Sequence, residues 1–368
     1  MTRARDNQRY GSGYDDGLDP LTPLDLAAVD GVDGLVRAMS HTAFGGRRLG
    51  EAADVLEAMI RDTECYRVLT ISGAMTIAKQ GLVICEMIDR GWVNAIVSTG
   101  ALMTHGLSEG AGLLHFKHKT AMRDEVLYEK GYNRVYDTIE LEQNLDDIER
   151  ILSKSLADVP DGTTLCSRMI CERLGRQLEH EAVGRGVLRS AYNRGVPVFV
   201  PAFTDSELGL DVAIHNHLRR QAGKPALPFD PFHDLDDFAA RIREHEILGI
   251  FTIGGGVPRN WAQQVGPYLE IRRGRLGIPE PVRRYQYAVR ICPEPEHFGG
   301  LSGCSYQEGV SWGKFVPEGE GGRFAEVFAD ATIAWPFIVR AVMERIDSKR
   351  PVALHLRSAE ALFRLIAM

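Results

Sequence analysis

The stretch Tyr66-Arg67-Val68-Leu69-Thr70-Ile71 is short, apolar and rich in β-branched side chains, and it breaks at Ser72-Gly73-Ala74-Met75. A helical stretch through Lys79–Arg90 follows, and then a second such run, Asn94-Ala95-Ile96-Val97-Ser98-Thr99, stops at Gly100. Strand, glycine turn, helix and strand in that order make a βαβ unit, the unit of a parallel sheet. The same punctuation recurs. Val196-Pro197-Val198-Phe199-Val200-Pro201 leads into Phe203-Thr204-Asp205-Ser206, and Leu248-Gly249-Ile250-Phe251-Thr252-Ile253 leads into Gly254-Gly255-Gly256. Tyr287-Ala288-Val289-Arg290-Ile291 and Ala325-Glu326-Val327-Phe328-Ala329 come next, the latter closing on Asp330-Ala331. At least six strands with helical stretches between them predict an α/β fold with a single doubly wound, mostly parallel sheet and helices on both faces.

Upstream, Leu49, Ala53, Leu56 and Ile60 share one stripe of a helix over Leu49–Arg61. Thr22-Pro23-Leu24-Asp25 reads as a helix start, because proline suits a first turn and a hydroxyl can cap it. The first twenty residues are polar and rich in glycine and aspartate, so 1–40 reads as a partly flexible N-terminal arm and 41–368 as one folded domain. Gly223–Asp237, with its prolines and aspartates, reads as an insertion or long loop.

Bulk properties exclude several classes. A formal net charge of −7 and no basic stripe speak against a nucleic-acid binder. No apolar run reaches the ~18 residues of a membrane span, and no apolar segment marks a signal peptide at the N-terminus. Six cysteines lie scattered without a C-x-x-C pair, which in a chain of 368 residues reads as reduced thiols. A cytoplasmic location is expected.

Ligands of open parallel sheets bind beyond the carboxyl ends of the strands. There the sequence places Ser72-Gly73, Ser98-Thr99-Gly100-Ala101, Thr204-Asp205, Gly254-Gly255-Gly256 and Asp330-Ala331. Glycine lets a backbone approach a phosphate or ribose, and the following helix N-terminus favours the anion. Any one of these is commonly just a turn, but five on one sheet favour a nucleotide. Neither G-x-G-x-x-G nor the P-loop fingerprint occurs, which speaks against an ATPase. His115-Phe116-Lys117-His118 and His215-Asn216-His217 lack carboxylates or cysteines at ligand spacing, so they read as polar surface or cleft residues and no metal is expected. Glu140-Leu141-Glu142-Gln143-Asn144-Leu145-Asp146-Asp147 reads as a solvated helix face, and no G-x-S-x-G elbow supports a hydrolase.

Near the C-terminal end, Glu308-Gly309-Val310-Ser311-Trp312-Gly313-Lys314-Phe315 sets one lysine among aromatic neighbours. Lost hydration favours a neutral, nucleophilic amine, whereas a lone lysine of this kind more often snorkels over an aromatic ring. The motif resembles the lysine motif of the deoxyhypusine synthase family. Ser98-Thr99-Gly100, Pro201-Ala202-Phe203-Thr204-Asp205, Gly254-Gly255-Gly256-Val257 and Val327-Phe328-Ala329-Asp330-Ala331 agree with it in order and spacing, from about Thr42 to about Ile346.

The resemblance implies a Rossmann-like fold and an NAD-dependent aminoalkyl transferase. A polyamine such as spermidine is oxidised, its aminobutyl group passes through an imine on the lysine to an acceptor amine, and the hydride returns. Lys314 would be the nucleophile, with Glu308 and Trp312 holding the amine by charge and by aromatic face. Thr99, Gly100, Asp205, Gly254, Gly255, Gly256, Asp330 and Ala331 would hold NAD, and Ser72, Gly73 and Ala101, read from the strand-end turns, are counted with them. A homotetramer with sites between subunits is implied. The chain also departs from the family pattern. Asn260 stands where the family has a proton-accepting histidine, and asparagine is no base near neutral pH. Leu210 falls at an acidic position, with Asp211 one residue away, and Leu301 at another; Thr104-His105 replaces two glutamates. His105 becomes the candidate proton acceptor. A di- or polyamine or a guanidino amine such as agmatine, used as in a homospermidine synthase, is the expected substrate. Deoxyhypusine formation on a translation-factor precursor, a non-catalytic NAD or polyamine binder, and a plain NAD dehydrogenase are the alternatives.

Overall fold

The computed structural model describes residues 10–73, 75–181, 184–300 and 302–348. In chain order the elements begin with α1 (Gly31–Ser40), α2 (Phe44–Arg61), β1 (Cys65–Ile71), α3 (Gly81–Asp89), β2 (Ala95–Ser98) and α4 (Gly100–Gly110). An excursion follows, built from β3 (Phe116–Lys117), α5 (Asp124–Glu129), β4 (Tyr132–Val135), β5 (Thr138–Leu141), α6 (Glu142–Leu156), α7 (Ser167–Glu181) and α8 (Val187–Arg194). The sheet resumes with β6 (Val198–Phe199), α9 (Glu207–Gln221), α10 (Phe232–Arg243), β7 (Ile247–Ile253), α11 (Gly256–Gln263) and α12 (Val265–Leu276). Last come β8 (Tyr285–Ile291), α13 (Tyr306–Ser311), β9 (Arg323–Val327) and α14 (Ala331–Asp347).

All six strands expected from the sequence lie in one parallel sheet ordered β6-β2-β1-β7-β8-β9. Ranked by appearance, they run third, second, first, fourth, fifth, sixth. The order reverses between β1 and β7, which pair in register from Cys65 with Ile247 to Ile71 with Ile253. That reversal opens a crevice at the carboxyl ends of these two strands.

Strand side chains alternate between two cores. Leu69, Ile71, Ile96, Phe251, Ile253, Val289 and Ile291 face one side, where Leu56, Met59, Ile84, Met103 and Trp335 cover them. Tyr66, Val68, Val97, Leu248, Ile250 and Ala288 face the other, under Phe238, Ile242, Ala262 and Leu269. Burial on both faces is why these strands read as continuous apolar runs.

Three features depart from the sequence reading. A small antiparallel sheet, β3-β5-β4, stands in the excursion after α4. Residues 232–237, placed in a long loop, begin α10, whose buried Phe238, Ala239 and Ile242 pack into the second core. Residues 31–40, counted with the arm, form α1, which buries Val36 against α2 and α14. All six cysteines are free, and among the described residues no helix is long and apolar enough to cross a membrane.

Candidate functional site

At the crevice, Gly254 (φ +79°) and Gly256 (φ +62°) adopt a conformation that favours glycine. The three glycines meet different surroundings. Ser72 at the end of β1 donates its hydroxyl to Ile253 O (3.3 Å) and accepts from Gly255 N (2.9 Å), tying the two strand ends together. A β-carbon on Gly254 would overlap Ser72 Oγ, and one on Gly255 would lie 2.9 Å from Ser302. At Gly256 and at Gly73 (φ +78°) the same space is open, with nothing within 4 Å. These two backbones therefore line an open cradle at the switch point, beside the N-terminus of α11.

One turn into α11, Asn260 accepts a hydrogen bond from Lys314 Nζ at 3.3 Å. The lysine thus reaches the helix that begins in the cradle. Burial draws its amine below the ordinary lysine range; Arg259 adds to this, while Cys304 and Glu308 oppose it. Its Nζ stands 5.9 Å from the centroid of the Trp312 ring, and Trp312 is 65% exposed. Glu308 lies exposed in α13 beside Cys304, near enough for its charge to act on Lys314.

Residues outside the sequence reading hold this arrangement. Buried Arg259 donates to Ser302 O (3.1 Å) and to Cys304 O. Arg290, from the middle of β8, donates to Ser302 O (3.0 Å), Cys304 O (2.6 Å) and Gly303 O (3.0 Å), and pairs with Glu326. Two guanidiniums therefore strap the loop before α13 onto the glycine turn. A charged residue inside the apolar run Tyr287–Ile291 was the available signal for Arg290. Leu301 lies outside the described residues.

The remaining strand ends are distributed along the ledge. Thr99 caps α4, accepting from Leu102 N (3.3 Å), and Asp330 caps α14, accepting from Thr332 N (2.9 Å) and Thr332 Oγ1 (3.0 Å). Gly100 abuts Ser206, the cap of α9, where a β-carbon would overlap Ser206 Oγ; exposed Asp205 precedes it, while Ala331 opens the first turn of α14 buried and Ala101 opens that of α4 facing solvent. Five strand spacings, roughly 24 Å at ~4.8 Å each, separate the β6 edge with Asp205 from the β9 edge with Asp330. The structure brings Ser72, Gly73, Gly254, Gly255, Gly256, Asn260, Lys314 and Trp312 together, and leaves the two aspartates at opposite ends.

His105 makes its contacts elsewhere. Its Nδ1 lies 2.9 Å from Glu140 Oε2, which also meets His115 Nε2, while Asn144 Nδ2 (2.6 Å) donates to Glu140 Oε1. Burial pushes the Glu140 carboxyl up, but bonds from His105, His115 and Asn144 outweigh it and hold it at about 2. The expected solvated face is thus corrected at Glu140, which lies within β5 and is buried, and His115, expected at a surface or cleft, keeps a side chain only 1% exposed. One ligand atom from each of His105, His115 and Glu140 lies within 4.8 Å of the others, a spacing that admits a cation. Lys79 Nζ, 2.6 Å from His115 Nδ1, brings a cation from the chain itself.

Nor does Asp211 take the place of Leu210. Leu210 is 56% exposed on α9, whereas Asp211, about 100° further round the helix, is buried. A cavity of about 170 Å³ beside Val196–Val198, lined by Arg168, Tyr192 and Arg241 among others, lies at the amino end of β6, the edge opposite the cradle.

The family model for deoxyhypusine synthase matches residues 34–342. "Probable deoxyhypusine synthase 2" of Methanosarcina acetivorans is 31% identical over 335 residues, 91% of this chain and 92% of that protein. "Deoxyhypusine synthase-like protein" of Chlorobaculum parvum is 33% identical over 311 residues, 83% of this chain and 84% of that one. A solved crystal structure from Entamoeba histolytica, assigned to deoxyhypusine synthase, shares the fold with a TM-score of 0.56 at 14% identity, covering 87% of this chain and 96% of that chain. With its parallel sheet, its glycine cradle and a lysine held against the helix that leaves that cradle, the chain belongs to the deoxyhypusine synthase family.

Proposed function

We propose that this protein is an NAD-dependent aminoalkyl transferase acting on a di- or polyamine or a guanidino amine through an imine at Lys314. The observation that carries the reading is the Lys314–Asn260 contact, which sets a partly desolvated amine one helical turn from the open Gly256 backbone. Gly73, Gly254, Gly255 and Gly256 would hold the dinucleotide at the switch point, and Thr99, Gly100 and Asp205 would serve the neighbouring strand ends. When bound, NAD supplies the hydride acceptor and donor that no side chain provides.

The chain's own residues have distinct parts. Loss of a hydride and a proton from the donor amine leaves an imine carbon. The Lys314 amine adds to that carbon and expels the donor's remaining amine, leaving the alkyl group on Nζ as an imine. An acceptor amine then displaces Lys314, and return of the hydride leaves no net oxidation. Asn260 orients Nζ but takes no proton near neutral pH. Trp312 offers a face to an ammonium or guanidinium group, and Glu308 a charge. Homospermidine-type transfer between small amines is favoured over a protein acceptor by the absence of carboxylates at Leu210 and Thr104, which alters how the amine is held. A homotetramer belongs to the same reading, supported by the exposed Leu210, Ile214 and Leu218, one turn apart along α9.

Borohydride trapping tests it. The protein is incubated with NAD and spermidine, putrescine or agmatine, quenched, and mapped by peptide mass. A mass increment on Lys314 that needs NAD and vanishes in Lys314→Arg is expected, its size identifying an aminobutyl or guanidinobutyl group. NAD binding without an adduct from any amine would favour a binding protein, and accumulation of NADH with an amine a plain dehydrogenase.

A further inference from the structure

Two histidines and a glutamate converge where the small sheet β3-β5-β4 meets α4. His105 stands in the second turn of α4, His115 just before β3, and Glu140 within β5. Glu140 Oε2 lies 2.9 Å from His105 Nδ1 and also meets His115 Nε2, and the two rings stand edge to face with centroids 5.9 Å apart. The other oxygen, Oε1, accepts from Asn144 Nδ2 (2.6 Å) and Ser108 Oγ (3.4 Å). These bonds hold the carboxylate with Oε2 turned to both imidazoles, the kind of support that orients metal ligands. Sequence spacing hid the cluster, because Glu140 is 25 residues from His115 and 35 from His105.

The small sheet has little else to hold it. Of its described strand residues only Ile139 and Glu140 are buried. Neighbours in a strand point to opposite faces, so the face that Glu140 turns to α4 buries no apolar strand side chain. Short strands without an apolar face are not stable by themselves in water, and a bound metal is one of the staples that hold such units. The cluster is placed to be that staple. The side chains of His115 and Glu140 are each 1% exposed, and His105, at 18%, is the accessible edge.

The donor set selects the ion. Two imidazole nitrogens and one carboxylate oxygen make a three-ligand zinc site, which keeps a fourth position for water. Ligand atoms ~2.0–2.1 Å from a tetrahedral ion stand roughly 3.3 Å from one another. The three atoms here lie within 4.8 Å of one another, so small side-chain adjustments admit the ion. Lys79 competes for the place, with Nζ 2.6 Å from His115 Nδ1. A metal on Nε2 leaves the ring proton of neutral His115 on Nδ1, where an ammonium group has no lone pair to meet, so loading must release the lysine. Lys79 is half-exposed and has Glu109 Oε1 3.6 Å away to turn to.

We infer that His105, His115 and Glu140 bind a divalent transition-metal ion of the zinc type, which fastens β3-β5-β4 to α4, and that Lys79 takes the cationic place when the ion is removed. The site shares no residue with the Lys314 pocket and stands or falls independently of the transfer reaction.

Zinc titration of the full-length protein, first stripped with EDTA, tests it. One equivalent per chain should bind, and the Kd should rise about a hundredfold or more in His105→Gln, beyond the ~10–100-fold that losing a supporting partner costs. Cobalt(II) loaded instead of zinc should develop the visible bands of a four-coordinate ion, and His105→Gln should lose them. Zinc should also slow proteolytic cleavage within residues 112–136 in the wild type and leave it unchanged in the variant. No zinc bound at one equivalent, or affinity and cobalt bands unchanged in His105→Gln, would overturn the site; zinc bound there without protection of 112–136 would overturn the fastening. Should His105→Gln fail to fold, Lys79→Met decides, being altered at a half-exposed side chain. Removing the competing ammonium should lower the zinc Kd about tenfold, and an unchanged or higher Kd would refute the inference.

Discussion

Asp211 and Glu140 are buried carboxylates with opposite consequences for stability. Burial first, then Glu207, Glu149 and Asp146, push the Asp211 carboxyl up from 3.8 to about 7. The folded protein therefore favours its protonated form, so the associated stability is complete below the unfolded value and is lost as pH rises through about 7. Between pH 5 and pH 8 the loss is about 3 kcal/mol. Urea unfolding without amine should show this decline in the wild type, and Asp211→Asn should flatten it; an equal decline in both would refute the assignment. Glu140, held at about 2 rather than 4.5, contributes stability that is present above the unfolded value and lost as pH falls toward 2. Glu140→Gln should cost about 3 kcal/mol at pH 7, a difference that shrinks between pH 5 and pH 3. Neither residue's environment was readable from its neighbours. Glu140 opens a run of acids and Asp211 follows an exposed leucine, and only burial separates them from solvated carboxylates.

At the scale of the element, the glycine turn after β7 divides its labour. Gly254→Ala would strain a φ of +79° and drive a methyl into Ser72 Oγ, so it should cost about 2 kcal/mol or more of stability. Gly256→Ala would meet no neighbour, and its left-handed φ alone should cost about 1 kcal/mol. That methyl would nevertheless stand in the cradle. Thermal unfolding and NAD titration together should show Gly254→Ala losing mainly stability and Gly256→Ala losing mainly NAD affinity; comparable NAD binding by Gly256→Ala and wild type would remove the cradle from the cofactor site. The strands around this turn were legible because burial on both faces leaves an unbroken apolar run between turn residues. The β3-β5-β4 sheet was not, since Phe116 and Lys117 are exposed and residues 133–135 carry no buried face to impose alternation.

For the whole molecule, a buried arginine fastens α1 to the α2 and α14 helices. Arg345 of α14 is fully buried and pairs with Asp33 of α1 (2.5 Å) and with Asp54 (2.7 Å) and Glu57 (3.2 Å) of α2. Removing one member of a buried network leaves charges without partners, at a cost of about 3–5 kcal/mol. Arg345→Met should lower the melting temperature and expose the 31–40 segment to limited proteolysis before global unfolding; retained protection would show that the apolar contact of Val36 suffices. The assembly is tested separately. Light scattering should give a mass near four chains, and Leu210→Asp/Ile214→Asp should reduce it if α9 forms a subunit interface.

What the sequence determined by itself was the order of strands and turns and the presence of one lysine in an aromatic setting. Those depend on local patterns: apolar runs of strand length, glycines at their ends, and hydroxyl or aspartate residues ready to cap the next helix. The tertiary structure decided which of these meet. Strand order placed Ser72 and the Gly254–Gly256 turn at one crevice and sent Asp205 and Asp330 to opposite ends of the ledge. Packing brought Lys314 to Asn260, turned His105 toward Glu140, and buried Asp211 without a partner. Long-range contact and desolvation set these outcomes, and neither is written in the spacing of residues along the chain.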